Sequence, residues 1–290
     1  MLSANWFRSA CYRMAGLLPP YLVRSVARAG ARHPWIKRRL NWYRDMLRHQ
    51  DGIIQHGAAK GLRFNTGASN VGFLLGSAEP ESQNALALLV RPNAVVYDIG
   101  ANVGFLTLIA ARLAGNSGRI FAFEPLRENF GLLEHNLRIN GFTNVIARNI
   151  ALAAHDGTDD FVMSANATFG GLSTAAVKVQ DEVGRIEVQV RRLDSLVEQE
   201  SLPLPNLIKI DVEGAEEQVL EGALKTIARA RPVLLIELHG TNHVISEKLA
   251  TMGYFPAVVG GAKSITDAHW NAQVVGFPER CPEMEQIARL

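Results

Sequence analysis

The sequence is poor in cysteine, in long apolar runs and in nucleic-acid signatures, and each absence removes a class of protein. Only Cys11 and Cys281 occur among the 290 residues, far apart and with no Cys-x-x-Cys pair. A disulfide framework and a structural zinc site are therefore not expected, and a reducing compartment is the natural reading. No stretch reaches the ~18 uninterrupted apolar residues of a spanning helix. The apolar run AGLLPPYLV is broken by Pro19 and Pro20 and followed by Arg24, Arg28 and Arg32. It lacks the small-residue cleavage site of a signal peptide, so a cytoplasmic protein is expected. There is no internal repeat, no low-complexity tract and no RNA- or DNA-binding motif, and no nucleic-acid partner is expected.

What is present is enough for a full core. About 48% of residues are apolar, which suits one large domain with an appendage. The formal charge of +2 hides a division, because residues 1 to 50 hold ten Lys and Arg against the single acid Asp45. Among those basic residues lie Trp6, Phe7, Tyr12, Tyr21, Trp35, Trp42 and Tyr43. A helical extension over 1–50 is expected, followed by a catalytic domain over 51–290. Cations interleaved with aromatic rings suit either a helix packed on that domain or peripheral contact with an anionic membrane at its inner face.

From residue 90 onward apolar strands alternate with helix-length segments, the pattern of a parallel sheet covered on both faces. AVVYDIG, GRIFAFEP and NVIARNIAL read as strands one to three, with helices over Val103 to Leu113 and Arg127 to Asn140. GTDDFVM and IEVQVRRL have strand periodicity and enclose the polar stretch ANATFGGLSTAA, which predicts an inserted hairpin or substrate lid with a hinge at Gly170 and Gly171. NLIKIDVEG and RPVLLIELH give strands four and five, with a helix between them over Glu217 to Ala228. YFPAVVGG and AQVVGF predict a closing antiparallel pair. Residues 51 to 90 predict a short strand pair and a helix leading into the core.

Ligands of such sheets lie beyond the carboxyl ends of the strands, and this sequence ends strand after strand on an acid. Asp98 closes strand one, Glu124 strand two, Asp211 and Glu213 strand four, Glu237 and His239 strand five. The first turn, Gly100-Ala101-Asn102-Val103-Gly104, fails the G-x-G-x-x-G pattern of dinucleotide sites, with Asn102 where a pyrophosphate needs glycine. Glu124 follows Gly104 by twenty residues, where an acid can accept both ribose hydroxyls. A phosphate-free, cationic nucleoside such as S-adenosylmethionine fits these residues, its ammonium drawn to Asp98 and the Gly100 region.

VVYDIGANVGF, FAFEP, RRLDSL, IKIDVEGAE and PVLLIELH, in this order, resemble the FkbM-type methyltransferases, a branch of the class I S-adenosylmethionine-dependent enzymes. The resemblance covers approximately residues 70 to 260 and is most specific where D-x-G-A-N-x-G is joined to K-I-D-V-E-G-A-E. It implies a Rossmann-like α/β fold with a mostly parallel seven-strand sheet and an antiparallel last strand. It also implies methyl transfer to a hydroxyl, often of a sugar or polyketide. Carried to matching positions, it implies Asp98, Gly100, Asn102, Gly104 and Glu124 as cofactor residues, with Asn149 or its neighbours edging the adenine.

The acceptor side is expected at Asp211, Glu213, Glu237 and His239, which converge if strands four and five are neighbours. Either His239 or Asp211 is expected to take the acceptor's proton. Acids that merely cap the next helix are the other reading; Asp211, Glu213 and Glu237 would also make an oxygen set for a divalent cation, but nothing argues for the paired hydroxyls such a metal suits, and no metal is expected. Lys209 is expected to pair with Asp211, whereas Glu216, Glu217 and Glu221 are expected on a solvated face or a dipole-complementing first turn. The expected acceptor is a glycan, a lipid-linked saccharide or another small polar molecule. The alternatives from other classes are an NAD(P)-dependent oxidoreductase and a catalytically silent cofactor-binding module docked on a membrane.

Overall fold

The computed structural model describes residues 50–70, 72–164, 170–175, 177 and 181–290. The basic arm and the membrane contact expected of it lie outside the described residues, as does much of the ANATFGGLSTAA stretch. The order is β1 (Asp51–Ile53), β2 (Arg63–Asn65), α1 (Gly72–Leu75), α2 (Pro80–Leu89), β3 (Val95–Ile99), α3 (Phe105–Ala114), β4 (Arg119–Phe123), α4 (Arg127–Asn140) and β5 (Val145–Arg148). An insertion follows, made of β6 (Ala151–Leu152), β7 (Gly157–Ser164), β8 (Gly170–Leu172) and β9 (Glu182–Arg191). The chain then resumes with α5 (Leu193–Gln199), β10 (Leu207–Ile210), α6 (Glu216–Gly222), α7 (Leu224–Ala230), β11 (Val233–Glu237), α8 (Asn242–Thr251), β12 (Phe255–Val258), β13 (Gln273–Phe277) and α9 (Glu283–Arg289).

The main sheet has seven strands in the order β12-β13-β11-β10-β3-β4-β5, all parallel except β13, which runs against both neighbours. Alternate residues of each strand feed different cores. Val96, Ile120 and Leu235 face one apolar cluster, and Tyr97, Phe121 and Leu234 face the other. That two-sided burial explains why these strands read as continuous apolar runs. The strand order reverses between β3 and β10, so the carboxyl ends of those two strands flank the switch point at which such folds bind ligands.

Two expectations change in space. The third strand is not continuous: β5 belongs to the main sheet, whereas β6 joins a second, four-stranded sheet in the order β6-β9-β7-β8. Asn149 makes the break, because its Nδ2 donates to the carbonyls of Glu124 (2.9 Å) and Pro125 (2.8 Å) and turns the chain out of the sheet. Gly170 and Gly171 are also not a hinge but part of β8, paired with Met163 and Val162. Glycine is required at 170 by close approach, since a Cβ there would lie 2.5 Å from the Phe161 ring and 2.9 Å from the Val162 carbonyl.

Before the sheet, the β1–β2 pair is tied to it by Asn136 of α4, which is fully buried. Its Oδ1 accepts from Asn65 N (2.7 Å), and its Nδ2 donates to Asn65 O (3.0 Å) and Val103 O (2.9 Å). No described helix is long and apolar enough to cross a membrane.

Candidate active site

The loop after β3 is fixed by contacts that only glycine allows. Gly100 has φ 77°, and a Cβ on it would lie 1.8 Å from the Asp211 carbonyl, so the turns following β3 and β10 touch. Gly104, with φ 89°, opens α3 against Leu133 of α4, 2.5 Å from where a Cβ would stand. Asn102 also has positive φ (50°), a conformation that asparagine tolerates better than most residues.

Asp98 is buried beneath this loop and does not face the cavity. Its Oδ2 accepts from Thr107 Oγ1 (2.6 Å), and its Oδ1 lies 3.1 Å from Lys209 Nζ. Lys209 in turn donates to the Gly100 carbonyl (2.8 Å) and pairs with Asp211 (3.3 Å). Burial opposes the charge on Lys209, but Asp98 and Asp211 outweigh it and raise its pKa. Asp98 therefore positions the loop through an ion pair, with Lys209 as the joint; it is not a direct ligand surface.

Glu124 lies at the carboxyl end of β4 with its carboxylate held by main-chain donors, Asn102 N to Oε2 (2.8 Å) and Leu126 N to Oε1 (2.9 Å). Burial raises its pKa to about 7, against the pull of those two N–H groups and of Lys209. Around it opens a cavity of about 690 Å³ whose apolar wall is formed by Phe123, Leu126, Ile150, Ala151, Phe161 and Leu172. The neighbours of Asn149 thus line the cavity, while the Asn149 amide is committed to the backbone.

The lining is also acidic: Glu79, Asp211, Glu213 and Glu237 all face the same space. Because β10 and β11 pair in register, the four residues expected at the acceptor side do meet. His239 Nε2 lies 3.4 Å from Glu213, 3.7 Å from Asp211 and 3.8 Å from Glu237. Burial raises the Glu213 carboxyl to about 8, with Asp211 and Glu237 adding to the rise against the charge of His239. The Glu237 carboxyl is likewise raised to about 8 by burial and then by Asp211. Burial works against the His239 cation, but the hydrogen bond to Glu216 and the charges of Asp211 and Glu213 prevail and raise it to about 9.

Glu216 takes the second placement expected of it, the first turn of a helix, and is not on a solvated face. It is fully buried at the start of α6, where Oε1 accepts from Gly214 N (2.9 Å) and contacts His239 Nδ1 (2.8 Å), and Oε2 accepts from Thr241 Oγ1 (3.0 Å). The helical spacing of Glu216 with Val219 and Leu220 places it on the buried face of α6, a legible signal. Glu217 and Glu221 do behave as surface acids, each pairing with Lys248 at 3.3 and 2.7 Å.

Glu79 was not expected at all. It precedes Pro80 in a left-handed conformation (φ 46°) and reaches the cavity from α2, far from any strand end. Burial, then Asp211, raises its pKa to about 7. No local pattern in the sequence marks it.

Residues 98–255 match the Methyltransferase FkbM domain family, more than half of the chain and all but one of the residues just described. The chain belongs to this family. It is similar to the hexuronic acid methyltransferase AglP of Haloferax volcanii, 33% identical over 146 residues that make up 50% of this chain and 56% of that protein. It is also similar to the 2-O-methyltransferase NoeI of Sinorhizobium fredii, 29% identical over 165 residues, 50% of this chain and 64% of that protein. The chain thus spans a little over half the length of the curated relatives it matches. Among solved structures, the methyltransferase FkbM from Methylobacillus flagellatus aligns over 64% of this chain and 44% of that one, with a TM-score of 0.45 and 18% identity. The FkbM-family membership, together with an acidic lining beside the β3 turn, disfavours the pyrophosphate that the oxidoreductase alternative requires.

Proposed function

We propose that this FkbM-family protein transfers a methyl group from S-adenosylmethionine to a hydroxyl of a glycan, lipid-linked saccharide or related polar metabolite. The observation that carries the reading is Glu124, a buried carboxylate held by two main-chain N–H groups in the lining of a cavity that also presents apolar side chains and four other carboxylates. Its lone pairs not used by the backbone suit ribose hydroxyls, the apolar wall at Leu126, Ile150 and Ala151 suits a purine, and the acidic lining suits a cation. Bound S-adenosylmethionine supplies the methyl group from its sulfonium and departs as a neutral thioether. The protein's own work is alignment, with the Gly100 to Gly104 turn shaping one side of the cavity and Lys209 fixing that turn.

On the acceptor side, His239 is oriented by Glu216, which engages Nδ1 and leaves Nε2 facing Asp211, Glu213 and Glu237. This cluster is where the attacking hydroxyl loses its proton; His239, raised to about 9, already carries its own proton at neutral pH, so a carboxylate of the cluster takes it there. The sugar preference rests on the relative named for hexuronic acid and on Trp270, an exposed residue whose ring lies 6.4 Å from the His239 ring. An exposed aromatic face beside the cluster gives a sugar ring a surface to stack on. The test is transfer of labelled methyl from S-adenosylmethionine into fractionated cell extract. Label in a glycan or saccharide fraction supports the reading; binding of S-adenosylhomocysteine without any transfer supports the silent module; label in protein alone removes the sugar preference.

A further inference from the structure

Asp211, Glu237 and His239 come from two different strand ends, yet one potential ligand atom from each lies within 4.8 Å of the other two. In each residue the atom facing the common point is free of hydrogen bonds, while its other polar atom is tied back. Asp211 Oδ1 faces His239 while Oδ2 is paired with Lys209 (3.3 Å). Glu237 Oε1 faces His239 while Oε2 accepts from Gln273 Nε2 (3.3 Å). His239 presents Nε2 while Nδ1 is engaged by Glu216 (2.8 Å). Such outer contacts orient metal ligands and fix the tautomer of a ligating histidine.

We propose that Asp211, Glu237 and His239 Nε2 bind one divalent first-row cation, with Lys209, Gln273 and Glu216 as the residues that orient the three ligands. His239 is only 4% exposed, and its Nε2 makes no hydrogen bond although carboxylate oxygens stand 3.4 to 3.8 Å away. Those separations are too long for hydrogen bonds to Asp211 and Glu237. They fall between the ~3 Å and ~4.2 Å expected between ligands at right angles and opposite each other around an ion with ~2.1 Å bonds. One imidazole with two carboxylates suits Mn²⁺ or Zn²⁺ better than Mg²⁺. The ligand set differs from the three carboxylates suggested by strand position: His239 replaces Glu213, which is outside the three-residue group.

The inference deepens the methyl-transfer reading and rests on it only for its purpose. A cation at this point would orient an acceptor that offers two neighbouring oxygens, as sugars do, and would occupy Nε2.

The test uses the full chain. Mn²⁺ binding is measured by loss of the free-ion electron paramagnetic resonance signal, with Zn²⁺ as competitor, and S-adenosylhomocysteine binding is measured on the same samples by calorimetry. One Mn²⁺ per chain, displaced by Zn²⁺ and weakened at least tenfold in Asp211→Asn and His239→Asn, is the expected result, with S-adenosylhomocysteine binding kept in His239→Asn, whose side chain does not line the cavity. Far-ultraviolet circular dichroism of each variant separates loss of the metal site from loss of the fold. Absence of saturable Mn²⁺ and Zn²⁺ binding, or binding unchanged in these variants, overturns the site. Retained S-adenosylhomocysteine binding in that case leaves the methyltransferase reading standing, whereas metal binding with no S-adenosylhomocysteine binding would remove that reading and keep the metal.

Discussion

Glu124 and Gly100 show how much single residues determine here. If Glu124 holds the ribose, Glu124→Ala weakens S-adenosylhomocysteine about 10- to 100-fold, the range expected for a lost hydrogen bond to a charged group, as read by calorimetry. Its carboxyl, raised to about 7, faces the N–H groups of Asn102 and Leu126, the Asn129 side chain and the charge of Lys209. The ionised form is the better acceptor and the better partner for a cation. Affinity for S-adenosylmethionine is therefore expected to rise with pH through about 7 and on to about 8, where Glu213 and Glu237 ionise, and Glu124→Gln makes the lower part of the profile shallower. A profile in Glu124→Gln as steep as in the parent would exclude Glu124 as the cause. Gly100→Ala is expected to abolish cofactor binding and lower Tm, because a Cβ would meet the Asp211 carbonyl at 1.8 Å in a left-handed backbone.

At the level of elements, two buried polar side chains join parts that sequence spacing treats separately. Glu216 joins α6 to the β11 end through His239 and Thr241, and Asn136 joins α4 to β2 and to the β3 turn. Removing such a group strands its partners. Glu216→Ala is expected to cost about 3 kcal/mol in denaturant unfolding, and Asn136→Ala about 2 to 3 kcal/mol. A cost below about 1 kcal/mol for either would mean that water replaces these bonds. The alternation of strands and helices, the closing β12–β13 pair and the inserted hairpin were legible because each depends on local periodicity. The departure of β6 from the main sheet was not, since it depends on Asn149 reaching carbonyls 24 and 25 residues away. Gly170 was misread as a hinge because its neighbour across the sheet, Phe161, is invisible in a linear pattern.

Across the whole molecule, the cavity concentrates carboxylates from the start of α2, the residue after β4, the turn after β10 and the last residue of β11, with Lys209 and His239 as the nearby described cations. Such a site is costly when empty and rewards a cationic ligand. The folded-state pKa of Glu124 is raised, so its contribution to stability is fully present below its unfolded value near 4.5 and is lost as pH rises through about 7. The Tm of the unliganded protein is accordingly expected to fall between pH 5 and 8. Ligand at 100 times its Kd adds about 2.7 kcal/mol, which for a chain of this size raises Tm by roughly 4 °C. A Tm insensitive to both S-adenosylmethionine and S-adenosylhomocysteine would contradict the cofactor assignment.

The sequence by itself determined the parallel α/β architecture, the family and the set of acids at the strand ends, because periods of 2 and 3.6 residues dictate which side chains share a face and strand ends are where such a sheet binds. Only the tertiary structure decided what those acids do. It turned Asp98 inward to Lys209, brought Glu79 in from α2 and set Glu216 behind His239. These are pairings between residues up to about 130 positions apart, and periodicity along a chain carries no information about which faces meet across it.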